Sequence, residues 1–208
     1  KSRAQLEIVS DKLSVIRKKY SQMLTDKIIE GLKDLNFLDV QFHIDFQRKK
    51  EYTDNGFDDI EYEISTNPGE PVKPLGRIVS GGELSRIMLA IKAILADRDQ
   101  IETLIFDEID TGISGRTAQK VSEKMAVIGK CHQVLCITHL PQIAAMADVH
   151  FMIEKAVQDN KTVTSIYRLS DTQCVEELAR LLGGSTITEA VRANAQELCH
   201  QAAAYKNK

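Results

Sequence analysis

The spacing of apolar residues at the start of the chain predicts one long helix. The steps between them alternate between three and four residues, at Leu6, Val9, Leu13, Ile16, Tyr20 and Met23. This heptad spacing suits a coiled coil, although a seam this short is also compatible with an amphipathic helix lying on a core. The helical pattern continues with a shifted stripe and ends near Asn36. We therefore predict that residues 1–36 are the end of a coiled-coil arm.

Alternation of apolar and polar residues predicts β structure in the next segment. Apolar side chains take every second position over residues 40–46 and again over 60–64, on either side of a polar loop that contains Asn55-Gly56. Such a pattern indicates a β-hairpin. Three of the four prolines then fall within residues 67–74. Because proline is excluded from helix interiors and central strands, we predict a stiff loop there.

The rest of the sequence predicts helices and strands that follow one another. Continuous apolar strands are typical of sheets that are covered on both faces. The predicted fold for residues 37–208 is therefore α/β: a layered, mostly parallel sheet with helices and a small antiparallel β part. The expected elements are helices near 84–95, 116–128, 142–146, 175–182 and 188–204, buried strands at 103–106 and 134–138, and an antiparallel edge pair at 150–154 and 163–169.

Composition narrows the class of protein. The 208 residues carry a net charge of −3, which argues against a stand-alone nucleic-acid-binding module, and the basic runs at 17–19 and 48–50 are interpreted as solvated surface. The four cysteines lack zinc-like spacing, so we expect reduced core residues. The sequence has no membrane-spanning run or signal-peptide pattern, which favours a cytosolic protein. The chain begins at Lys1 rather than methionine, which suggests part of a longer protein.

The segment Ser80-Gly81-Gly82-Glu83 precedes a strongly periodic helix and has two interpretations. As a Ser-x-x-Glu sequence it is a capping box, whose side chains satisfy free amide groups at a helix start. Capping does not require two adjacent glycines, each of which lowers helix stability relative to alanine. Small residues there also let a phosphate approach the exposed N–H groups and the positive end of the helix dipole. Both interpretations stay open for this segment taken alone.

Two carboxylates and a histidine follow the two apolar strands. Asp107 and Glu108 come directly after the first strand, at the end where parallel sheets gather their ligands. This is typical of a Walker B motif, in which Asp107 would hold Mg²⁺ and Glu108 would orient or deprotonate the attacking water. A solvated loop is the alternative, and it explains one acid more easily than two. A polar turn begins at Asp110, and His139 follows the second strand, from where an imidazole could reach a terminal phosphate.

The order of these features is more specific than any one of them. A glycine-rich helix start, a strand with Asp-Glu, an acidic turn and a strand with histidine follow one another like the signature, Walker B, D-loop and H-loop of ABC ATPases. No Gly-x-x-x-x-Gly-Lys-Ser/Thr sequence occurs in the chain, so the phosphate-binding P-loop must come from elsewhere. Together with the heptads, this favours an SMC-like protein, in which a coiled coil separates the two halves, over a transporter-type nucleotide-binding domain.

Four stretches resemble the RecN family of SMC-like DNA repair proteins: residues 67–75, 80–90, 106–115 and 138–142. The resemblance implies the C-terminal half of a head that dimerises around ATP. Ser80, Gly81, Gly82 and Glu83 would serve the ATP held by the opposite protomer's P-loop. Asp107, with Mg²⁺, and Glu108 and His139 would serve the ATP held by their own N-terminal half, and Asp110 would lie at the dimer seam.

The resemblance also implies a function and partners. We expect a role in recombinational repair of DNA double-strand breaks, in which ATP binding joins the heads and hydrolysis releases them. The expected partners are the N-terminal P-loop half, a second copy of the protein and DNA, with no membrane, in a cytoplasmic, nucleoid-associated location. Without its P-loop, this chain alone should not hydrolyse ATP. An ATP-gated structural tether without useful catalysis, or another SMC- or ABC-type ATPase, is the alternative. Val79 departs from the leucine common in ABC signatures, and Glu83 from the glutamine.

Overall fold

The computed structural model describes residues 2–78, 80–96, 100–158 and 161–207, except for the side chain of Gln158. Residues 1–99 and 100–208 form two compact units. The boundary predicted at residue 36, between an arm and a head lobe, stays a prediction, because helix and sheet belong to one unit here. Among the described helices, none is long and apolar enough to cross a membrane.

Helix α1, Ser2–Asp34, confirms the long helix predicted from the heptad spacing. Its final turns enter the core of the first unit, where Ile28 and Leu32 are buried. The helix ends at Asp34, and Asn36, two residues later, has a positive φ of 71°, a common conformation just after a helix. The heptad side chains on the preceding turns are largely exposed and fit a coiled-coil surface: Leu6, Val9, Ile16, Tyr20 and Met23.

Strands β1, Gln41–Thr53, and β2, Gly56–Ser65, form the predicted antiparallel hairpin. Both strands extend several residues further toward the turn than the alternation predicted. A two-residue strand β3, Lys73–Pro74, pairs with β2 inside the segment that was predicted to be a loop. Proline is tolerated there because β3 is an edge strand, where a missing N–H need not break the sheet.

A buried carboxylate joins α1 to the hairpin. Arg17 Nη1 donates to Asp58 Oδ2 at 2.8 Å, and Ser14 Oγ donates to Asp58 Oδ1 at 2.7 Å. Arg17 also donates to the carbonyl oxygen of Asn55 at 2.8 Å. Burial by itself raises the pKa of Asp58, but these two hydrogen bonds and the charges of Arg17 and Lys18 outweigh it, so the pKa lies below its usual value. Arg17 is therefore a structural cation here rather than solvated surface.

Replacing Asp58 with asparagine is expected to loosen this contact, since Arg17 loses a charged acceptor worth about 1.5–3 kcal/mol. In the full-length protein, amide hydrogen exchange over residues 53–58 should accelerate about tenfold or more. The matched control is Asp59→Asn, because Asp59 lies next to it but its side chain is 63% exposed. Because the folded pKa of Asp58 is lowered, its stabilisation is present above about pH 4 and is lost as the pH falls through that lowered value. Equal exchange in both variants would contradict the structural role of Asp58.

Helix α2, Gly81–Leu95, completes the first unit after a short 3₁₀ turn at Leu75–Arg77. It packs against α1. The buried apolar residues on the two helices are Ile28, Leu32, Ile87, Leu89, Ala90 and Ile91, and Leu35 just after α1 is also buried. This packing fixes the start of α2, where the glycine pair lies, on the same body as the end of the long helix.

The second unit contains a parallel strand pair and an antiparallel hairpin. Strands β4, Thr103–Phe106, and β5, Gln133–Cys136, pair in parallel. The remaining elements are helix α3, Gly115–Ile128, helix α4, Pro141–Ala144, strands β6, Phe151–Gln158, and β7, Lys161–Arg168, helix α5, Asp171–Gly183, and helix α6, Glu189–Lys206. Helices α5 and α6 form their own apolar core with the segment after α4, through Met146, Leu178, Ala179, Ala195 and Ala202.

The two sheets of the second unit expose apolar surface. In β4 and β5, Phe106 is buried, but Ile105 is 69% and Leu135 46% exposed. The described residues therefore do not provide the predicted cover on both faces. The predicted antiparallel pair is confirmed as β6 and β7, which form a separate two-stranded sheet. Within the described residues, β4 and β5 are the one parallel pair, so the parallel part of the fold is smaller here than expected.

Candidate nucleotide-binding residues

The first candidate segment, Ser80–Glu83, is called the signature turn below. Ser80 caps α2, because its Oγ accepts a hydrogen bond from the Glu83 backbone N–H at 3.4 Å. Ser80 and Gly81 are exposed, whereas Gly82 is buried. The hydrogen bond that the capping box predicts for the serine side chain is therefore present. It is compatible with phosphate binding, since the first-turn amides of a helix have no partner within the helix. Val79 lies outside the described residues.

The second group follows the parallel strands and is called the strand-end group: Asp107, Glu108, Asp110 and His139. Phe106 is level with Cys136, and the Ile137 N–H donates to the Phe106 carbonyl at 3.2 Å, so both strands end at one edge. Asp107 and Glu108 are exposed at this edge. The buried side chain of Ile109 anchors the turn that carries them.

Glu108 has an unusual backbone conformation. Its φ is +56°, in the left-handed region, where a residue with a side chain costs about 1–2 kcal/mol. The Glu108 N–H donates to Asp107 Oδ1 at 3.0 Å, and the Glu108 carbonyl accepts from the Thr111 N–H at 3.0 Å. Such strained positions cluster at functional sites. The geometry therefore singles out Glu108 independently of its place in the motif.

Asp110 connects the two strand ends. Its side chain is 5% exposed, and its Oδ2 lies 3.0 Å from Nδ1 of His139. The same oxygen accepts from Thr138 Oγ1 at 2.7 Å and from the His139 N–H at 2.9 Å. The His139 side chain is 72% exposed. The structure thus brings Asp110 and His139 together and leaves most of the imidazole open to solvent.

The electrostatics of this edge favour a cation. Burial, followed by the charges of Asp110 and Asp107, raises the pKa of the Cys136 thiol to about 12. The thiol therefore stays protonated, mainly because it is buried, and the negative charges of Asp110 and Asp107 add to the shift of its pKa. Mg²⁺ is held by one or two carboxylates together with phosphate oxygens and water. Asp107, an exposed carboxylate at this edge, fits that requirement.

Sequence reasoning missed the roles of Thr138 and of the Asp110 carboxylate. Thr138 was assigned only as the last residue of a strand, but its hydroxyl donates to Asp110 and accepts from the Leu140 N–H at 3.0 Å. The available signal was a hydroxyl residue directly before the candidate histidine. The location of Asp110 at a dimer seam stays a prediction, because its observed partners belong to its own unit.

Solved structures define the class of fold. The Smc head domain with a coiled coil and joint from Pyrococcus yayanosii has a TM-score of 0.55 and 22% identity, over 83% of this chain and 31% of that one. The Smc head with an extended coiled coil from Pyrococcus furiosus, solved with the C-terminal domain of ScpA, has a TM-score of 0.52 and 22% identity, over 84% of this chain and 41% of that one. The chain has the α/β fold of one part of an SMC-type head.

Sequence relatives define the family. DNA repair protein RecN from Halalkalibacterium halodurans is 46% identical over 98% of this chain and 37% of its own length. The RecN proteins of Bacillus subtilis and Vibrio cholerae are 42% and 43% identical, each over 91% of this chain and over 36% and 34% of their lengths. No protein-family model matches the chain. The chain belongs to the RecN family and spans just over a third of these relatives, in their C-terminal part.

Proposed function

We propose that this chain is the C-terminal half of an ATP-hydrolysing head that serves DNA double-strand-break repair. The carrying observation is the strand-end group, in which two exposed carboxylates, one on a strained backbone, share an edge with a histidine held by Asp110. Membership of the RecN family supports DNA repair by an SMC-like protein. The proposal includes specificity for DNA double-strand breaks, turnover of ATP and a cytoplasmic, nucleoid-associated location.

The strand-end group suggests how the residues divide the chemistry. Asp107 would hold Mg²⁺, which when bound offsets charge on the phosphates. Glu108 would orient the attacking water and take its proton, the role of a general base. His139 would contact an oxygen of the terminal phosphate through the ring nitrogen that Asp110 does not engage. In this proposal, each residue acts on the ATP held by the P-loop half of the same protein.

The exposed apolar surface of the parallel strands supports the proposal that a second half of the head covers it. One face of β4 and β5 exposes Ile105 and Leu135, and Ile137 just beyond β5 is 57% exposed. Contiguous apolar surface of this kind marks an interaction site. The occupant that we propose is the N-terminal P-loop half, since the chain lacks a P-loop and spans 37% of its relative from Halalkalibacterium halodurans. The exposed heptad stripe of α1 would pair with the other helix of the arm.

Placing a charge on this sheet face is expected to prevent assembly of the two halves. When the P-loop half is co-expressed with tagged chain carrying Leu135→Asp, we expect its recovery on the tag to fall about tenfold or more, because a charge would be buried without a partner. Val127→Asp on α3 is the matched control, since Val127 is 42% and Leu135 46% exposed. The co-purified wild-type halves should hydrolyse ATP, and the chain alone should not. Equal recovery with both variants would contradict the proposed interface.

The signature turn would act on a second protomer. With Gly81 exposed beside the cap of Ser80, the start of α2 offers N–H groups and a positive helix end to a phosphate. In the proposed homodimer, this phosphate belongs to the ATP on the opposite protomer's P-loop. ATP binding would then join the heads, and hydrolysis would release them, coupled to DNA binding or tethering.

A further inference from the structure

We propose that Asp110 is a positioning residue for ATP hydrolysis, acting through His139. The inference rests on the proposed function, because it assigns a task within the same site. It differs from a role at a dimer seam, since the carboxylate is directed at the segment after β5 in its own unit. Three groups converge on one oxygen atom, Asp110 Oδ2.

The three contacts form a closed arrangement. Asp110 Oδ2 accepts from Thr138 Oγ1 at 2.7 Å and from the His139 N–H at 2.9 Å, and lies 3.0 Å from His139 Nδ1. One contact holds the backbone N–H of His139, one holds the hydroxyl of the preceding Thr138, and the third lies at the ring. A carboxylate that is 5% exposed gains stability from such donors, because burial without them would be costly. Removing the carboxylate should therefore release both the backbone and the ring.

The contact with Nδ1 also determines which ring nitrogen is available. The 3.0 Å approach of Asp110 Oδ2 favours the form of the ring with a hydrogen on Nδ1, because a carboxylate can only accept. The other nitrogen, Nε2, is then the one that can face a nucleotide. A partner that fixes the tautomer and orientation of a functional histidine in this way is a recurrent device. Because the His139 side chain is 72% exposed, the ring has little else to hold it.

Asp110 also links the segments that follow the two parallel strands. It lies three positions after Asp107, on the turn anchored by the buried Ile109, whereas His139 follows β5. Their contact thus adds to the hydrogen bond that the Ile137 N–H donates to the Phe106 carbonyl at the same edge. Asp107, Glu108 and the imidazole of His139 are thereby held as one group. When the two acids reach the nucleotide, the imidazole is brought to it as well.

The test is a double-mutant cycle on ATPase activity in the full-length protein. Asp110→Ala is expected to lower kcat about 10- to 100-fold, the range seen when a carboxylate behind a functional histidine is lost, with the KM for ATP changed by less than about threefold. The variant that combines Asp110→Ala with His139→Ala should be no more than about twofold slower than His139→Ala alone, because the effects of residues that act as a unit do not multiply. Multiplying losses would overturn the proposal.

Two further variants keep the test decisive. Asp110→Asn should be at least about threefold faster than Asp110→Ala, because its carboxamide oxygen can accept from all three donors. If Asp110→Ala does not fold, the same cycle is run with Asp110→Asn. Asp148→Asn, which changes a carboxylate that is 85% exposed in the same unit, should leave kcat unchanged. Wild-type protein without ATPase activity would refute the proposed function, whereas an active wild type with multiplying losses refutes only the positioning role.

Discussion

Replacing Glu108 with glutamine in the full-length protein is expected to lower kcat for ATP hydrolysis at least about a hundredfold, because a general base contributes about 10²–10⁴-fold. Glutamine keeps the size and polarity of the side chain but cannot take a proton from the attacking water. ATP binding should persist, since the phosphates are held by other groups. Steady-state phosphate release and equilibrium binding of labelled ATP measure the two properties separately.

The matched control for this substitution lies at the other end of the same strand, β4. Glu102 immediately precedes β4, whereas Glu108 follows its carboxyl end, and both side chains are exposed. Glu102→Gln should leave kcat within about twofold of wild type, as most surface substitutions have small effects. Normal turnover by Glu108→Gln would refute its role as the base. Retention of DNA by this variant also distinguishes an ATP-gated tether, which needs no turnover, from a cycle that depends on release.

Replacing Ser80 with arginine is expected to abolish ATP-dependent dimerisation of the heads and therefore ATP hydrolysis. The long side chain would occupy the space that a phosphate needs to approach the bare backbone of Gly81. Measurement in a Glu108→Gln background, where bound ATP persists, makes the dimer visible by light scattering with and without ATP. We expect the ATP-dependent increase in mass to disappear while ATP binding to each monomer remains.

Ser170 provides a matched control for the loss of the helix cap. It caps α5 with the same type of hydrogen bond, accepting from the Gln173 N–H at 3.4 Å, and is also exposed. Each serine-to-arginine substitution should lower stability by a similar amount, about 0.5–2 kcal/mol for a lost cap. Dimerisation should fail only in Ser80→Arg. Failure in both variants would show that helix capping, and not phosphate contact, explains the result.

Local periodicity predicted the elements in which apolar residues recur at regular steps. The heptad spacing correctly predicted the helix α1, and the alternation of apolar residues correctly predicted the first part of β1. The outer part of β1 was missed because residues 47–51 are exposed, so this stretch carries no apolar alternation and is defined by its pairing with β2. The short strand β3 was missed for a related reason, since Lys73–Pro74 is defined by its neighbour β2.

The candidate site was predictable in its residue types but not in its contacts. Asp107, Glu108 and His139 were identified because acids and a histidine after apolar strands suggest an edge where ligands gather. The strain at Glu108 and the hydrogen bonds of Asp110 were not predictable, because they depend on how two separate turns meet. The sheet was expected to be covered on both faces, yet Ile105 is 69% exposed. An apolar strand indicates that it needs cover, not which polypeptide provides it.

The sequence by itself determined the order of the elements, the motif residues at their ends and the absence of a P-loop, because these follow from local pattern and residue chemistry. Only the tertiary structure decided that Asp110 is buried against Thr138 and His139, that Arg17 is bound to Asp58, and that one face of the parallel pair lies open. These features depend on contacts between residues far apart in the chain, and local periodicity carries no information about such contacts.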